Sequence, residues 1–357
     1  MTHLERFNAV FKDCDAEAAI ITSEVNQSWL CGFDFTDGYL LVTKEQAYLI
    51  TDFRYIEAAS AEADKGFEIL MPKSMLSEMN GLLKKHGVKK VIYEEATLSV
   101  AQLNTFEEKL QNVTFSAGAS KLVDSLRDIK DEAEIAYMAK AQDIADAAFT
   151  HILKVMSPEM TEIDVSLELE FFMRRNGASS VSFDTIAVSG SASSLPHGVP
   201  RNVKLQKGFL TMDYGAVYKG YCSDMTRTVV IGKADAEMKK LYNTVLKAQL
   251  AGVNSAGPGV GCRALDKISR DIIYEAGYEG CFGHGLGHGV GKYIHESPRV
   301  SPGAPEDSIL KAGQIITVEP GIYIAGKYGC RIEDMLAITE DGILNFAHST
   351  KELIELF

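Results

Sequence analysis

The sequence has no long apolar run, few cationic residues and few cysteines. None of its apolar stretches approaches the roughly 20 residues that a membrane-spanning helix needs, and its start, Met1–Phe7, lacks the basic-then-apolar order of a secretory signal. The 49 Asp and Glu residues outnumber 36 Lys and Arg, and the net charge of −13 argues against nucleic acid and anionic membranes as partners. The six cysteines form no CxxC pair, which is typical of free thiols in a reducing compartment. We therefore expect a cytoplasmic protein.

The composition and length predict a globular protein of two domains. The chain has 357 residues, of which 46% are hydrophobic and 24% charged, so each of two domains can bury a substantial core. Up to Ala117, short β-prone runs alternate with helical stretches, which indicates a layered α/β structure. The strands are expected at 18–21, 39–42, 47–50, 67–70 and 90–93, and the helices at 55–63, 75–86 and 100–110. A change to a charged run between Ser120 and Lys130 predicts domains of 1–122 and 123–357.

The second domain shows an internal repeat. A long helix with apolar residues at three- and four-residue spacing ends at Ser157-Pro158, and a second helix runs from a Thr161 cap to Gly177. The same order of helix, proline loop and helix returns 100 residues later, at Pro258 and Gly277. Two duplicated halves would each present a pair of strands to a central crevice, which would bring together residues that are distant in sequence.

Two acids in a predicted β-hairpin are the first sign of a site. Asp213 and Asp224 lie in two β-prone runs joined by a turn that we place near Tyr218 and Lys219. A turn symmetric about those two residues sets the two acids directly opposite each other, with Cβ atoms about 5 Å apart. Two carboxylates this close repel each other unless a proton or a cation lies between them. A divalent cation is the simpler occupant.

Three further residues extend the pattern. His288 lies in Gly283–Gly291, where five glycines in nine residues disfavour a helix and allow a close-packed strand or loop. Glu319 ends a β-prone run before Pro320-Gly321, and Glu333 lies within the β-prone run 330–338, so both are expected in strands. Singly, each acid is more often a solvated residue. Together they would place several unpaired charges among apolar neighbours, which is costly without a ligand.

The set of four carboxylates and one imidazole predicts a dinuclear hydrolase. Such donors suit Mn²⁺, Co²⁺, Fe²⁺ or Zn²⁺, and four acids are too many for one ion. A metal pair activates a water molecule near neutral pH and polarises a scissile carbonyl. Arg331, two residues from Glu333 on the same strand face, is expected to pair with the acids.

At these residues the chain resembles the pita-bread metallopeptidases, and specifically the proline-directed branch of aminopeptidase P and prolidase. The resemblance rests on the order of the five residues, the glycine loop of His288, and the runs 317–323 and 331–334. It extends upstream to 26–33 and 51–55, which are similar to the amino-terminal domain of that branch. It implies an α+β fold, with a smaller three-layer α/β creatinase-type domain before a pita-bread catalytic domain that has a pseudo-two-fold repeat.

The resemblance also implies roles for individual residues. Asp213 would bind one metal ion, Asp224 and Glu333 would bridge two, and His288 and Glu319 would hold the second. Glu319 would in addition shuttle a proton during catalysis. The cofactor would be two divalent ions, with manganese preferred over cobalt, zinc or iron. The remaining catalytic residues would bind substrate and stabilise the tetrahedral intermediate; they are His197, His284 and His295, with Arg331 beside the acids.

The expected function is removal of the residue that precedes proline, from the amino end of a peptide or from a dipeptide, by a homodimer. Substrate would contact His197, His295 and Arg299, and the guanidinium of Arg299 could hold the carboxylate of a dipeptide. Three alternatives remain: a methionine aminopeptidase, a metal-free creatinase-like amidinohydrolase, and a binding module without activity. The amino-terminal domain argues against the first, and the complete ligand set argues against the other two.

Overall fold

The computed structural model describes residues 1–357 and divides into two compact units, Met1–Arg127 and Asp128–Phe357. From the sequence we predicted the domain boundary after residue 122. This residue lies within the helix Ala119–Arg127 of the first unit. Along the chain, the division between the two units therefore falls after this helix, at residue 127.

The first unit is a six-stranded sheet between two layers of helices. Its sheet has the strand order β4-β3-β2-β1-β5-β6. Side chains of β1 alternate between two apolar clusters, with Ala19 and Ile21 packing against α1, α2, α3 and α6, and Ala18 and Ile20 against α4 and α5. Its elements are α1 (His3–Phe11), β1 (Ala18–Ile21), α2 (Glu24–Cys31), β2 (Gly38–Thr43), β3 (Ala47–Thr51), α3 (Ile56–Glu62), β4 (Phe67–Leu70), α4 (Met75–Lys85), β5 (Lys90–Tyr93), α5 (Val100–Lys109), β6 (Thr114–Ala117) and α6 (Ala119–Arg127).

The three-layer α/β prediction is confirmed, and all five predicted strands and three predicted helices form. Four elements were missed: α1, α2, α6 and β6. Helix α2 is eight residues long, and its buried face includes the polar Asn26 and Gln27, so apolar periodicity does not reveal it. The side chain of Ser23 caps it by accepting a hydrogen bond from the Asn26 amide.

The second unit contains two helix pairs and two larger sheets. The sheets have the strand orders β20-β12-β9-β8 and β14-β13-β15-β18-β19. The elements are α7 (Glu132–Val155), α8 (Glu162–Arg175), β7 (Ser180–Val181), β8 (Ile186–Ser189), a 3₁₀ helix (Gly190–Ser194), β9 (Gly208–Tyr214), β10 (Ala216–Tyr218), β11 (Tyr221–Cys222), β12 (Met225–Ile231), α9 (Ala236–Ser255), α10 (Cys262–Glu275), β13 (Gly287–Gly289), β14 (Glu296–Val300), β15 (Ile315–Val318), β16 (Gly321–Ile324), β17 (Tyr328–Arg331), β18 (Asp334–Ile338), β19 (Ile343–Asn345) and β20 (Glu355–Leu356).

The predicted duplication is confirmed. The pair α7 and α8 corresponds to the pair α9 and α10, and one large sheet follows each pair. Even an isolated β-bridge recurs, between Thr161 and Lys204 in the first half and between Gly261 and Ile309 in the second. As predicted, Thr161 caps the helix that follows it, and Asp235 likewise caps α9. Each half therefore brings its own strands to the site.

The predicted register of the hairpin was wrong. Tyr218 pairs with Tyr221, so the turn residues are Lys219 and Gly220, both with positive φ (52° and 77°). A two-residue hairpin turn needs positive φ at both positions, and glycine adopts this conformation readily. Asp213 consequently pairs with Thr226 rather than with Asp224. The shift is two residues, so both acids stay on the same face of the hairpin.

Two acids expected within strands lie at strand ends instead. Glu319 follows the last residue of β15, and Glu333 lies between β17 and β18. The apolar run 330–338 had suggested one strand, but it contributes to two different sheets on either side of Glu333. Because neither acid belongs to a strand ladder, the backbone at these positions can turn the carboxylates towards one another.

Candidate metal centre

Four of the five predicted ligands converge where strands from both halves end. The His288 Nε2 atom lies 3.5 Å from Asp224 Oδ2 and 3.5 Å from Glu319 Oε1. Asp224, His288 and Glu333 each offer one potential ligand atom, and these three atoms lie within 4.8 Å of one another. Asp224 immediately precedes β12 of the first half. In the second half, His288 is the central residue of β13, Glu319 follows β15 and Glu333 lies between β17 and β18, so the duplication places them together.

Asp213 completes the cluster from β9. Its Oδ2 atom accepts a hydrogen bond from Arg331 Nη2 at 2.5 Å, whereas its Oδ1 atom is buried without a hydrogen-bond partner. A buried carboxylate oxygen without a donor is costly. The charge of Asp213 also raises the pKa of Asp224, Glu319 and Glu333, which shows that the four acids are electrostatically close.

The acids repel one another in a buried environment. Burial, followed by the neighbouring carboxylates, raises the pKa of Asp224 and of Glu333 well above the ordinary range. Burial likewise raises the pKa of Glu319 to about 8 and lowers the pKa of His288 to about 4. A neutral imidazole with a free lone pair among excess carboxylates is the donor set that divalent cations require. The residues present therefore fit a metal centre.

The glycines around His288 allow its strand to approach its neighbours. A Cβ atom added to Gly287 would lie 2.0 Å from the Thr317 carbonyl oxygen, and one added to Gly289 would lie 1.9 Å from that of Ser297. His288 Nδ1 lies 3.0 Å from the Gly289 carbonyl oxygen. A proton on Nδ1 makes this hydrogen bond and leaves the Nε2 lone pair directed at the acids, as in histidine ligands of metals.

The other predicted histidines surround this cluster. The His295 ring lies 4.4 Å from the His288 ring, and His284 Nδ1 lies 3.9 Å from Glu319 Oε2. His197 and His295 are exposed. Besides burial, the charges of Arg299 and His197 lower the pKa of His295, so these three residues are within electrostatic reach of one another. Arg299 is itself exposed and pairs with His288 across β13 and β14.

Two further residues contact this cluster and were not predicted from the sequence, namely Thr226 and Tyr323. Thr226 Oγ1 donates to Glu333 Oε2 at 2.6 Å, and Arg331 Nε donates to Thr226 Oγ1 at 3.0 Å. The hydroxyl of the half-buried Tyr323 accepts from Arg331 Nη1 at 2.7 Å and lies 3.0 Å from His284 Nε2. The correct hairpin register would have revealed Thr226, because it lies directly opposite Asp213.

Comparison with known families gives the same assignment for both units. The model of metallopeptidase family M24 matches residues 136–340, and the creatinase/prolidase N-terminal domain matches residues 3–129. The chain belongs to metallopeptidase family M24. All five ligand candidates lie within the matched M24 region, and membership of this family implies divalent metal ions.

Individual M24 relatives resemble the chain over its whole length. An uncharacterized peptidase of Bacillus subtilis, YqhT, is 41% identical over 355 residues, which cover 99% of each chain. The structure of an Xaa-Pro dipeptidase from Bacillus anthracis superposes with a TM-score of 0.95 at 43% identity, covering 99% of each chain. An X-Pro aminopeptidase from Thermotoga maritima gives a TM-score of 0.92 at 32% identity, covering 98% of this chain and 100% of the other. Among the helices of the present protein, none is both long and apolar enough to span a membrane.

Proposed function

We propose that this M24 protein is a dinuclear metal-dependent exopeptidase that hydrolyses the bond between an amino-terminal residue and proline, in peptides or in dipeptides. The observation that carries the proposal is the convergence of Asp224, His288 and Glu333 within 4.8 Å, beside Asp213 and Glu319. Preference for proline is supported by the names of the similar structures, an Xaa-Pro dipeptidase and an X-Pro aminopeptidase.

The five residues divide between two ions. In this proposal Asp213 would hold one ion, His288 and Glu319 would hold the other, and Asp224 and Glu333 would be shared by both. The unpartnered Oδ1 atom of Asp213 and the mutual repulsion of the acids support this division. When bound, the ions would supply an activated water molecule and would polarise the scissile carbonyl. Arg331, through its hydrogen bond to Asp213 Oδ2, would leave Oδ1 as the ligand atom.

Glu319 and three histidines would handle protons and substrate. As the resemblance implies, Glu319 would also pass a proton to the leaving amine, and its carboxylate lies beside the proposed metal pair, 3.5 Å from His288 Nε2. His284 lies between Glu319 and the Tyr323 hydroxyl, where it can donate to the oxygen of a tetrahedral intermediate. The exposed His197 and His295 are accessible to a peptide entering from solvent.

Arg299 would favour short substrates. It lies on β14 opposite His288 and is exposed, so its guanidinium can form a bidentate pair with a carboxylate beyond the scissile bond. In an Xaa-Pro dipeptide that carboxylate belongs to proline. A longer peptide has an amide there instead and gains less from the contact.

One substrate panel tests the proposed function. Metal-reconstituted enzyme is assayed with an Xaa-Pro dipeptide, an Xaa-Pro-Xaa tripeptide and a Met-Ala-Xaa peptide, in the wild type and in Arg299→Ala. We expect cleavage of the two proline substrates, and a rise in KM confined to the dipeptide when Arg299 is removed. Cleavage of Met-Ala-Xaa alone would identify a methionine aminopeptidase, which the match to the creatinase/prolidase N-terminal domain does not favour. Equal effects of Arg299→Ala on both proline substrates would remove the carboxylate contact.

Three further properties belong to the same proposal. The oxygen-rich ligand set suits manganese, which reconstitution with each of Mn²⁺, Co²⁺, Fe²⁺ and Zn²⁺ would test. The protein would be a homodimer, and a monomer that stays fully active at nanomolar concentration in sedimentation experiments would contradict this.

A cytoplasmic location is supported by the six cysteines, all of which are free thiols in the structure. Cell fractionation with an antibody against the protein tests the location.

A further inference from the structure

The residue after Glu333 is the centre of a buried polar network outside the ligand set. Asp334 is fully buried, and its carboxylate accepts hydrogen bonds from four side chains. Arg227 Nη2 donates to Oδ1 at 2.8 Å; Gln249, Asn345 and Lys351 donate to Oδ2 at 2.9, 2.9 and 2.5 Å. The donors come from β12, α9, β19 and the carboxy-terminal segment, so four parts of the unit meet at one carboxylate.

Arg227 connects this network to Glu333 itself. Its Nη1 atom donates to the Glu333 carbonyl oxygen at 2.5 Å and to the Thr226 carbonyl oxygen at 3.0 Å. The Glu333 amide donates to the Thr226 carbonyl at 3.1 Å, and Thr226 Oγ1 donates to the Glu333 carboxylate. Residues 226 and 227 thus hold the amide, carbonyl and carboxylate of Glu333 together. Arg227 is 1% exposed, so solvent cannot replace it.

The carboxy-terminal segment secures the other side of the network. The Ser349 carbonyl oxygen accepts from Arg227 Nε and Nη2 at 3.3 and 2.9 Å, and the Ser349 amide donates to Asp146 of α7 at 2.8 Å. The Lys351 carbonyl oxygen accepts from the Tyr242 hydroxyl of α9 at 3.0 Å. Helices of both halves therefore fix the segment that delivers the Lys351 ammonium group to Asp334.

We propose that Lys351, Asp334 and Arg227 are positioning residues for Glu333, and that the carboxy-terminal segment is thereby part of the support of the metal centre. The inference rests on the proposed role of Glu333 as a bridging ligand. A bridging carboxylate must hold both oxygens at fixed positions. The backbone of Glu333 is fixed by its contact with Arg227, and Arg227 is in turn fixed by its ion pair with Asp334. Lys351 donates to the Asp334 oxygen that Arg227 Nη2 does not contact, and its removal would let Asp334 and the adjoining Glu333 shift.

The test follows Co²⁺ binding to metal-free protein by visible absorption, with a chelator in competition. Removal of hydrogen-bonding partners behind metal ligands typically weakens metal binding about 10- to 100-fold. We expect Lys351→Met to weaken binding of one Co²⁺ ion by that factor and to change the absorption spectrum, and Lys351→Arg to restore both. The matched control is Lys233→Met: Lys233 also pairs with the carboxy-terminal segment, through Glu355 at 2.9 Å, but 82% of its side chain is exposed. It should bind Co²⁺ as the wild type does.

Two outcomes separate this inference from the proposed function. If the wild type binds two Co²⁺ ions and Lys351→Met matches it in affinity and spectrum, Lys351 has only a structural role and the inference is overturned. If the wild type binds no pair of ions, the dinuclear function itself fails. Should Lys351→Met not fold, Asn345→Ala removes another donor to the same Asp334 oxygen and carries the same expectation. At saturating metal, kcat for an Xaa-Pro dipeptide should fall in the variant while KM stays unchanged.

Discussion

At the scale of single residues, the site is an arrangement of acids that is unfavourable without cations. Asp213, Asp224, Glu319 and Glu333 are brought together by the fold, while Arg331 supplies a positive charge to Asp213. Such a cluster costs stability unless the acids are protonated or bind a cation. Substitution of a side chain that binds metal should therefore lower the metal content, whereas substitution of one that contacts substrate should not.

The ligand variants test the first group. Asp213→Asn, Asp224→Asn, His288→Ala and Glu333→Gln should each bind fewer than two ions per chain and lose turnover, because both ions are needed to activate water and hold the carbonyl. Metal analysis of the purified proteins checks this. An Asp224→Asn protein that retained two tightly bound ions and near-normal activity would exclude the bridging role. Glu319→Gln should show a partial loss of activity if its metal is retained.

The histidine variants test the second group. His197→Ala, His284→Ala and His295→Ala should keep both ions and lose about 10²–10³-fold in kcat/KM, the usual effect of one missing transition-state donor. Metal content and steady-state kinetics on an Xaa-Pro dipeptide are measured together. A variant that lost metal would have to be reassigned as a ligand.

The pH dependence of the metal-free protein also follows from single residues. Burial raises the pKa of Glu319 to about 8 from 4.5, so between these values the folded chain binds more protons than the unfolded chain. The free energy of unfolding therefore falls as pH rises through this window. Burial lowers the pKa of His284 and His288 to about 4 from 6.5, which has the opposite effect below pH 6.5. Above pH 6.5, of these residues only the acids determine how the free energy of unfolding changes with pH.

We predict that metal-free protein becomes less stable to urea as pH rises from 6.5 to about 8, and that Glu319→Gln reduces this loss. Saturating metal should remove it, because bound dications keep the carboxylates ionised in the folded state. Urea titrations at several pH values give the profile. Stability of the metal-free protein that is independent of pH in this range would show that the pKa of Glu319 is not raised.

At the scale of secondary-structure elements, the sequence predicts which segments form strands and helices better than it predicts where they end. The repeat of Pro158 and Pro258 and the Thr161 cap depend on local chemistry, so they could be identified. The hairpin register could not, because it depends on Lys219, a residue that rarely adopts positive φ. Glu333 was predicted to lie within a strand. The residues on its two sides pair in two different sheets, and the local sequence gives no sign of this change.

Glu162 illustrates how an element positions the site. It is the first residue of α8, is fully buried, and accepts hydrogen bonds from the Ser189 amide and from Arg201 Nε at 2.7 and 2.8 Å. These partners flank the segment that carries His197. Burial acts to raise the pKa of Glu162, but the hydrogen bonds of Arg201 and Ser189 hold it below the ordinary value. Its contribution to stability is therefore present above about pH 4.5 and is lost as pH falls through the lowered pKa.

We predict that Glu162→Ala lowers the free energy of unfolding by about 1–3 kcal/mol, the usual cost of leaving buried hydrogen-bond donors such as the Ser189 amide without a partner. Glu159→Ala is the control: its pair with Lys204 is exposed on both sides, and its loss should cost less than about 1 kcal/mol. Urea denaturation of metal-loaded proteins measures both. Equal effects of the two substitutions would show that the Glu162 contacts contribute no more than a surface pair.

At the scale of the whole molecule, duplication explains how one site uses residues from 213 to 333. The first half supplies Asp213 and Asp224, and the second supplies His288, Glu319 and Glu333. The order of these residues and the helix-loop-helix repeat were readable from the sequence. The polar network around Asp334 could not be read from the sequence, because Asp334, Lys351 and Gln249 meet only through tertiary packing and lie in segments without a shared motif.

The most direct test of the central claim is the hydrolysis of an Xaa-Pro dipeptide by metal-free protein as Mn²⁺ is added in known equivalents. The account predicts no turnover without metal, and a rate that rises until two equivalents per chain are bound and then reaches a plateau. The Asp224→Asn protein, assayed in parallel, should stay inactive throughout. Full activity in the presence of excess chelator, or a plateau at one equivalent, would contradict a dinuclear site.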